Sequence, residues 1–182
     1  MNAPEEFSGR YMTQAVESVV YDRSRDELGH VGLLDVDGVS ESVACSVAES
    51  LAGPVAVLES SEHAFHLWGL RLDSLAAWTE RVEEIHVVDD AHTALNTSRG
   101  VSVLRVDEKI AVTTGETVKP APRLVATTAR DPDVDGRLSE PHARILVEEF
   151  GACLDVEDGR EWVGHSTSRR TYMADIGGRG GA

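Results

Sequence analysis

The chain of 182 residues predicts one α+β domain, with a mostly antiparallel or mixed sheet covered by helices. Three observations carry this. Short apolar runs of strand length alternate with stretches whose apolar residues recur at helical spacing. The order reads helix, strand, helix, hairpin-like strand pair, helix, strand pair. The length suits a single core over residues 1–176, followed by a Gly-rich tail at 177–182 that is expected to be disordered.

Taken in order, Tyr11 to Tyr21 sets Met12, Val16, Val19 and Val20 at helical spacing and predicts an amphipathic helix. Asp26 to His30 is polar, contains Gly29 and reads as a turn. Val31 to Val36 reads as a buried strand. Ser40 is placed to cap a helix whose stripe is Val43, Val47 and Leu51, ending at Gly53. Pro54 to Leu58 and Phe65 to Leu70 read as strands around a polar turn, Glu59 to His63. Asp73 or Ser74 caps a third helix with Leu75, Trp78, Val82 and Ile85 facing inward. His86 to Val88 and Val101 to Val106 read as strands flanking a loop from Ala91 to Gly100. Ile110 to Thr128 holds β-type residues broken by Gly115, Pro120 and Pro122. Ser139 to Phe150 predicts a helix with Pro141 in its first turn and Ile145, Leu146 and Phe150 inward.

No apolar run is long enough to span a bilayer, and no secretion signal opens the sequence. Cys45 and Cys153 lie too far apart for metal-ligand spacing, and both read as buried thiols in a reducing cytoplasm. Asp and Glu number 32 against 17 Lys and Arg, a net charge of −15, and only Lys109 and Lys119 are lysines. This balance fits a solvated acidic surface adapted to high intracellular salt. In dilute buffer such a chain repels nucleic acid. At molar salt the Debye length falls to about 3 Å, so local contacts decide instead.

Three segments carry chemistry. In Gly32-Leu33-Leu34-Asp35-Val36-Asp37-Gly38, a strand places Asp35 and Asp37 on one face. Two neighbouring carboxylates repel, so a cation is their natural companion, and oxygen donors favour Mg²⁺ or Mn²⁺. A strand running into an Asp-Gly turn explains the same residues without a metal. The second segment, Glu59 to Gly69, is a polar turn with Ser60 and Ser61 entering a strand that carries His66; a hydrogen-bonded packing histidine is its plain alternative. The third is an acid pair, Asp89 and Asp90, followed by Leu104-Arg105-Val106.

Together these segments resemble the archaeo-eukaryotic primase superfamily. Leu33 to Asp37 matches its strand ending Asp-x-Asp. Ser60 to His66, about 23 to 29 residues on, matches its Ser-rich turn with a histidine. Asp90 or Asp89 with Leu104-Arg105-Val106 matches the later acid and arginine strand. Glu62, His63 and Ala64 stand where that family usually has glycines and a basic residue. The resemblance covers residues 31 to 109. It implies an RRM-like primase-polymerase core that joins nucleotides in DNA replication. Asp35, Asp37 and Asp90 (or Asp89) would bind Mg²⁺ or Mn²⁺, while Ser60, Ser61, His66 and Arg105 would contact the incoming nucleotide. Its partners would be nucleoside triphosphates, a single-stranded template and a helicase or larger primase subunit, with no membrane involved.

Two other readings stand beside it. A haloacid-dehalogenase-type phosphatase also begins on Asp-x-Asp-Gly, with Asp35 as nucleophile and Asp37 as acid, but it needs a lysine and none precedes Lys109. An inactive acidic accessory domain would account for the same acids as surface adaptation.

Overall fold

The computed structural model describes residues 10–51, 53–83, 85, 94, 98–128, 136–154 and 162–175. The longest element is β1 (Arg10–Tyr21), where a helix was expected. β-branched Thr13, Val16, Val19 and Val20 favour extended backbone, and strand partners on both edges of β1 settle the competition with helical spacing. There follow β2 (Glu27–His30), β3 (Leu33–Asp37), α1 (Glu41–Ser50), β4 (Val55–Ser61), β5 (Ala64–Gly69) and α2 (Leu75–Glu83). Then come β6 (Val103–Arg105), β7 (Lys109–Ala111), β8 (Thr117–Lys119), β9 (Arg123–Thr127) and β10 (Leu138–Ser139). The helix α3 (Glu140–Phe150) and strands β11 (Trp162–Val163) and β12 (Ser166–Asp175) end the described chain.

The structure is α+β, and its two larger sheets are antiparallel. In the first, β12 pairs along one edge of β1, while β7, β6 and β2 take successive stretches of it at residues 11–12, 15–17 and 19–21. The expected turn at 26–30 lies earlier: Asp22 Oδ1 accepts the Ser24 and Asp26 amides, and the chain is already β2 from Glu27. Gly29 provides clearance rather than a break. A Cβ there, at φ +144°, would stand 2.9 Å from the Asp73 carbonyl oxygen.

The second sheet has the order β3-β5-β4-β9. β5 is antiparallel to both β3 and β4, so β3 and β4 run parallel with α1 as their crossover, a split βαβ unit. Ser40 caps α1 by accepting the Val43 amide, and Ser74 caps α2 by accepting that of Ala77. Both helices cover one face of this sheet, where Leu34, Val36, Val57, Phe65 and Leu67 meet Ala44, Ala48 and Trp78. The other face offers Leu33, Leu58 and Trp68 to Val16, Val20, Leu104 and Leu146. Burial on both faces explains why β3, β4 and β5 read as continuous apolar runs.

β9 completes this sheet from the segment that was hardest to read. α3 is capped by Ser139, with Pro141 in its first turn and Gly151 in the left-handed conformation (φ 67°) at its end. Leu146 is buried, while Ile145 and Phe150 are half-buried against the core. Cys153 is exposed and Cys45 half-buried, contrary to the expectation of two buried thiols. The expected strand 86–88, the acids Asp89 and Asp90, most of the 91–100 loop and the 177–182 tail lie outside the described residues. No helix among the described residues is long and apolar enough to cross a membrane.

His142 anchors α3 to β1. Its Nε2 lies 2.8 Å from the Glu17 carbonyl oxygen and its Nδ1 2.7 Å from Ser139 Oγ. The carbonyl can only accept, so Nε2 carries the proton and Nδ1 accepts from the serine. Burial pushes this ring down from 6.5 to about 4, against the smaller opposing effect of the Glu17 carbonyl. Above pH 6.5 the ring is neutral in both folded and unfolded chains. As pH falls towards 4 only the unfolded chain takes up the proton, which removes about 3 kcal/mol of stability. We expect urea midpoints to fall between pH 6.5 and 4, and His142→Asn to be less stable at pH 7 but to show a shallower fall.

Candidate functional site

Two rungs cross the face of the second sheet opposite α1 and α2. Asp35 pairs with His66, which pairs with Leu58; Asp37 pairs with Ala64, which pairs with Ser61. Asp35 Oδ1 lies 3.7 Å from His66 Nε2. Asp35 is half-buried and Asp37 exposed, whereas His66 is only 4% exposed. The ring therefore stands behind Asp35 and presents little surface to a ligand.

Backbone sets the position of Asp37. The β4–β5 turn is the pair Glu62-His63, with His63 held at φ 58°. In that conformation its carbonyl accepts the amides of Gly38 (2.7 Å) and Val39 (3.2 Å), which ties the end of β3 to the hairpin tip. The expected nucleotide contact Ser60 is buried, and its Oγ lies 3.3 Å from the Ala64 carbonyl it donates to.

Arg105 is 7% exposed and satisfies backbone rather than offering its charge to a ligand. Its guanidinium donates to the carbonyls of Asp107 and Ser60, both at 2.7 Å, and of Pro120. Those bonds staple β6, the end of β4 and the end of β8 together. Burial lowers its pKa, and the charges of Asp35 and Asp107 oppose that shift.

The chain's two lysines arrive at the same place. Lys109 and Lys119 are cross-strand partners on β7 and β8. Lys119 Nζ lies 3.3 Å from Ser61 Oγ, and Lys109 Nζ sits 4.6 Å from the centre of the Tyr11 ring. Burial lowers both ammonium pKa values, and the neighbouring cations add to it: Arg105 for Lys109, and Lys109 then Arg105 for Lys119. Asp35 and Asp37 pull both back up. Reading the segments one by one missed the lysines. Their scarcity was the available signal.

The carboxylates of Asp35 and Asp37 are donors of the kind that Mg²⁺ or Mn²⁺ takes, and two of them are fewer than such an ion needs. Among the described residues no group of three His, Cys, Asp or Glu side chains could hold a metal ion, and the expected third acid, Asp89 or Asp90, lies outside them.

Two other features look functional and are accounted for by structure. Ser18 Oγ, His30 and Glu27 form a chain with contacts of 3.0 and 3.1 Å, in the manner of a hydrolase triad. Ser18 is 1% exposed and also accepts the Ser102 amide, so no substrate reaches it. A cavity of about 460 Å³ lies between the 22–23 turn, Gly164-His165 and the first turn of α3, away from both rungs, and its Glu140 and Arg144 are already paired at 2.6 Å. Compared with models of protein families, with curated proteins and with solved structures, the chain matches none.

Arg105→Met keeps the stem and leaves three carbonyls without their donor. We expect it to lower the unfolding free energy by about 3 kcal/mol in urea titrations, with Arg105→Lys intermediate. An unchanged midpoint would mean that water replaces the staple at no cost.

Proposed function

We propose that the face bearing Asp35, Asp37 and His66 is a nucleotidyl-transfer site of the primase-polymerase type, which joins nucleoside triphosphates on a single-stranded template. The observation that carries this reading is topological. The β3-α1-β4-β5-α2 unit runs in the order β-α-β-β-α that an RRM-like core would also use, with both of its helices on one face and the acids on the other, while the sheet's fourth strand, β9, lies beside β4 rather than β3. Asp-x-Asp lies on the first strand of that unit, and His66 on the strand beside it. The resemblance in sequence, over residues 31 to 109, includes this unit and extends beyond it.

Asp35 and Asp37 would hold Mg²⁺ or Mn²⁺, with Asp89 or Asp90 as the further ligand. When bound, the ion neutralises phosphate charge and activates a hydroxyl for in-line attack. The protein's own contribution is placement. His66 stands behind the carboxylate of Asp35 at 3.7 Å, the His63 carbonyl fixes the strand end at Asp37, and apolar packing on both faces of β3 holds the strand that carries the pair. No side chain in this arrangement needs to form a covalent intermediate.

The antiparallel pairing of β3, β5, β4 and β9 speaks against the haloacid-dehalogenase-type phosphatase, which requires successive parallel βα units after its Asp-x-Asp strand. An inactive accessory domain would leave unexplained why both lysines gather beside the acid pair.

The test is release of pyrophosphate on a primed single-stranded template at molar salt with Mn²⁺. We expect Asp35→Asn and Asp37→Asn each to cut the rate at least about 100-fold, with unchanged circular dichroism. Full rates in both variants overturn the proposal. Release of inorganic phosphate from small phosphoesters without template would favour the phosphatase.

A further inference from the structure

We infer that the β7–β8 hairpin is a polyphosphate clamp, in which Lys109 and Lys119 together grip the terminal phosphates of a nucleoside triphosphate, or free pyrophosphate, next to Asp37. The identity of the anion rests on the nucleotidyl-transfer reading; the clamp itself rests on the hairpin's geometry.

Register carries the argument. Ile110 pairs with Thr117, so an unbroken ladder would set Lys109 opposite Val118. A bulge skips Val118 and puts Lys119 there instead. Like charges directly opposite each other destabilise a strand pair, and bulges serve to re-aim side chains beside sites. Here one is used to bring together the only lysines in a chain of net charge −15. The facing hairpin does the same. Glu59 pairs with Phe65, and a second bulge sets Ser61, not Ser60, opposite Ala64, where its Oγ meets Lys119 Nζ. Each ammonium is therefore held before any ligand arrives, Lys119 by Ser61 and Lys109 by the Tyr11 ring.

Charge then selects the ligand. Lys109, Lys119 and the buried Arg105 are opposed locally by Asp35 and Asp37. A divalent cation taken up by those two acids would leave the lysines uncompensated, and a polyanion that also ligates the cation restores balance. Lysine suits it as a compact charge with rotatable donors. Cross-strand Cβ atoms lie about 5 Å apart. Successive phosphates of a polyphosphate share an oxygen and stay close together, whereas those of a nucleic-acid strand are held apart by a sugar.

The experiment uses the full chain and tripolyphosphate, followed by calorimetry with Mn²⁺ and with EDTA. We expect one site, weakened about 10-fold by Lys109→Gln or Lys119→Gln and about 100-fold by both. Arg169→Gln on β12, away from the hairpin, leaves it unchanged. With EDTA, Asp37→Asn binds at least as tightly as the parent chain. A second measurement needs no variant: tripolyphosphate should protect Lys109 and Lys119 from an amine-acylating reagent, read by mass spectrometry, and a single-stranded oligonucleotide should not. Unchanged affinity in both lysine variants, or acylation at an unchanged rate under saturating tripolyphosphate, overturns the clamp. So does lysine-dependent binding of the oligonucleotide alone. Lysine-dependent tripolyphosphate binding without nucleotide incorporation keeps the clamp and removes the polymerase reading. Incorporation with unchanged KM in the lysine variants does the reverse.

Discussion

The guanidinium of Arg105 is the contact on which the rest of the site depends. A buried arginine is costly unless its donors are met, and here carbonyls from three separate segments meet them. Each of those carbonyls ends or follows a strand: Ser60 near the end of β4, Asp107 just past β6, Pro120 just past β8. One side chain therefore fixes how the first sheet's β7–β8 hairpin approaches the acid-bearing end of the second. Its own positive charge is part of the bargain, since it sits close enough to Asp35 for the two to influence each other.

The charge distribution gains meaning from that staple. Across the surface of so acidic a chain, some carboxylates pair with arginines, such as Glu59 with Arg123 and Glu140 with Arg144, but acids outnumber bases by 32 to 17. At the site two lysines and an arginine come near enough to the acids to feel their charge: both lysines that of Asp35 and Asp37, Arg105 that of Asp35. Salt that screens exposed charges beyond about 3 Å leaves partly buried groups much less affected. Asp35, Arg105 and the two lysines, all partly buried or buried, would therefore keep their field under conditions in which the net charge of the whole chain has stopped acting at a distance.

Much of the second sheet was legible because its signals are local. Ser40 is a cap, as is Ser74 of the two candidates Asp73 and Ser74; β3 to β5 are apolar runs of strand length; and the polar stretch Glu59 to His63 marks a turn, although β4 runs on to Ser61 and only Glu62-His63 form the turn itself. The pairing of Asp35 with His66 follows once the hairpin and the crossover are placed. β1 was misread because its apolar residues satisfy helical spacing while its β-branched composition and its partners favour a strand. Those partners are supplied by residues as distant as Ser166 to Asp175. The lysine pair was illegible for a different reason. It depends on a bulge in a segment without periodicity, and nothing in the residues around Val118 announces that this position is skipped. Arg105 was found as a charge, but its role could be assigned only after three remote carbonyls were known to converge on it.

The last link is the strained tip of the β4–β5 hairpin. A non-glycine residue at positive φ costs about 1–2 kcal/mol, and His63 occupies that conformation where asparagine or glycine is usual. What offsets the cost is visible: the His63 carbonyl accepts two amides immediately beyond Asp37. The end of β3 is thus held by backbone bonds that do not involve either carboxylate. The lysines are held in the same manner, by Ser61 and Tyr11 rather than by the acids alone. In both halves the charged groups are positioned by contacts other than their mutual attraction. That arrangement separates what keeps the site in shape from what the site would do.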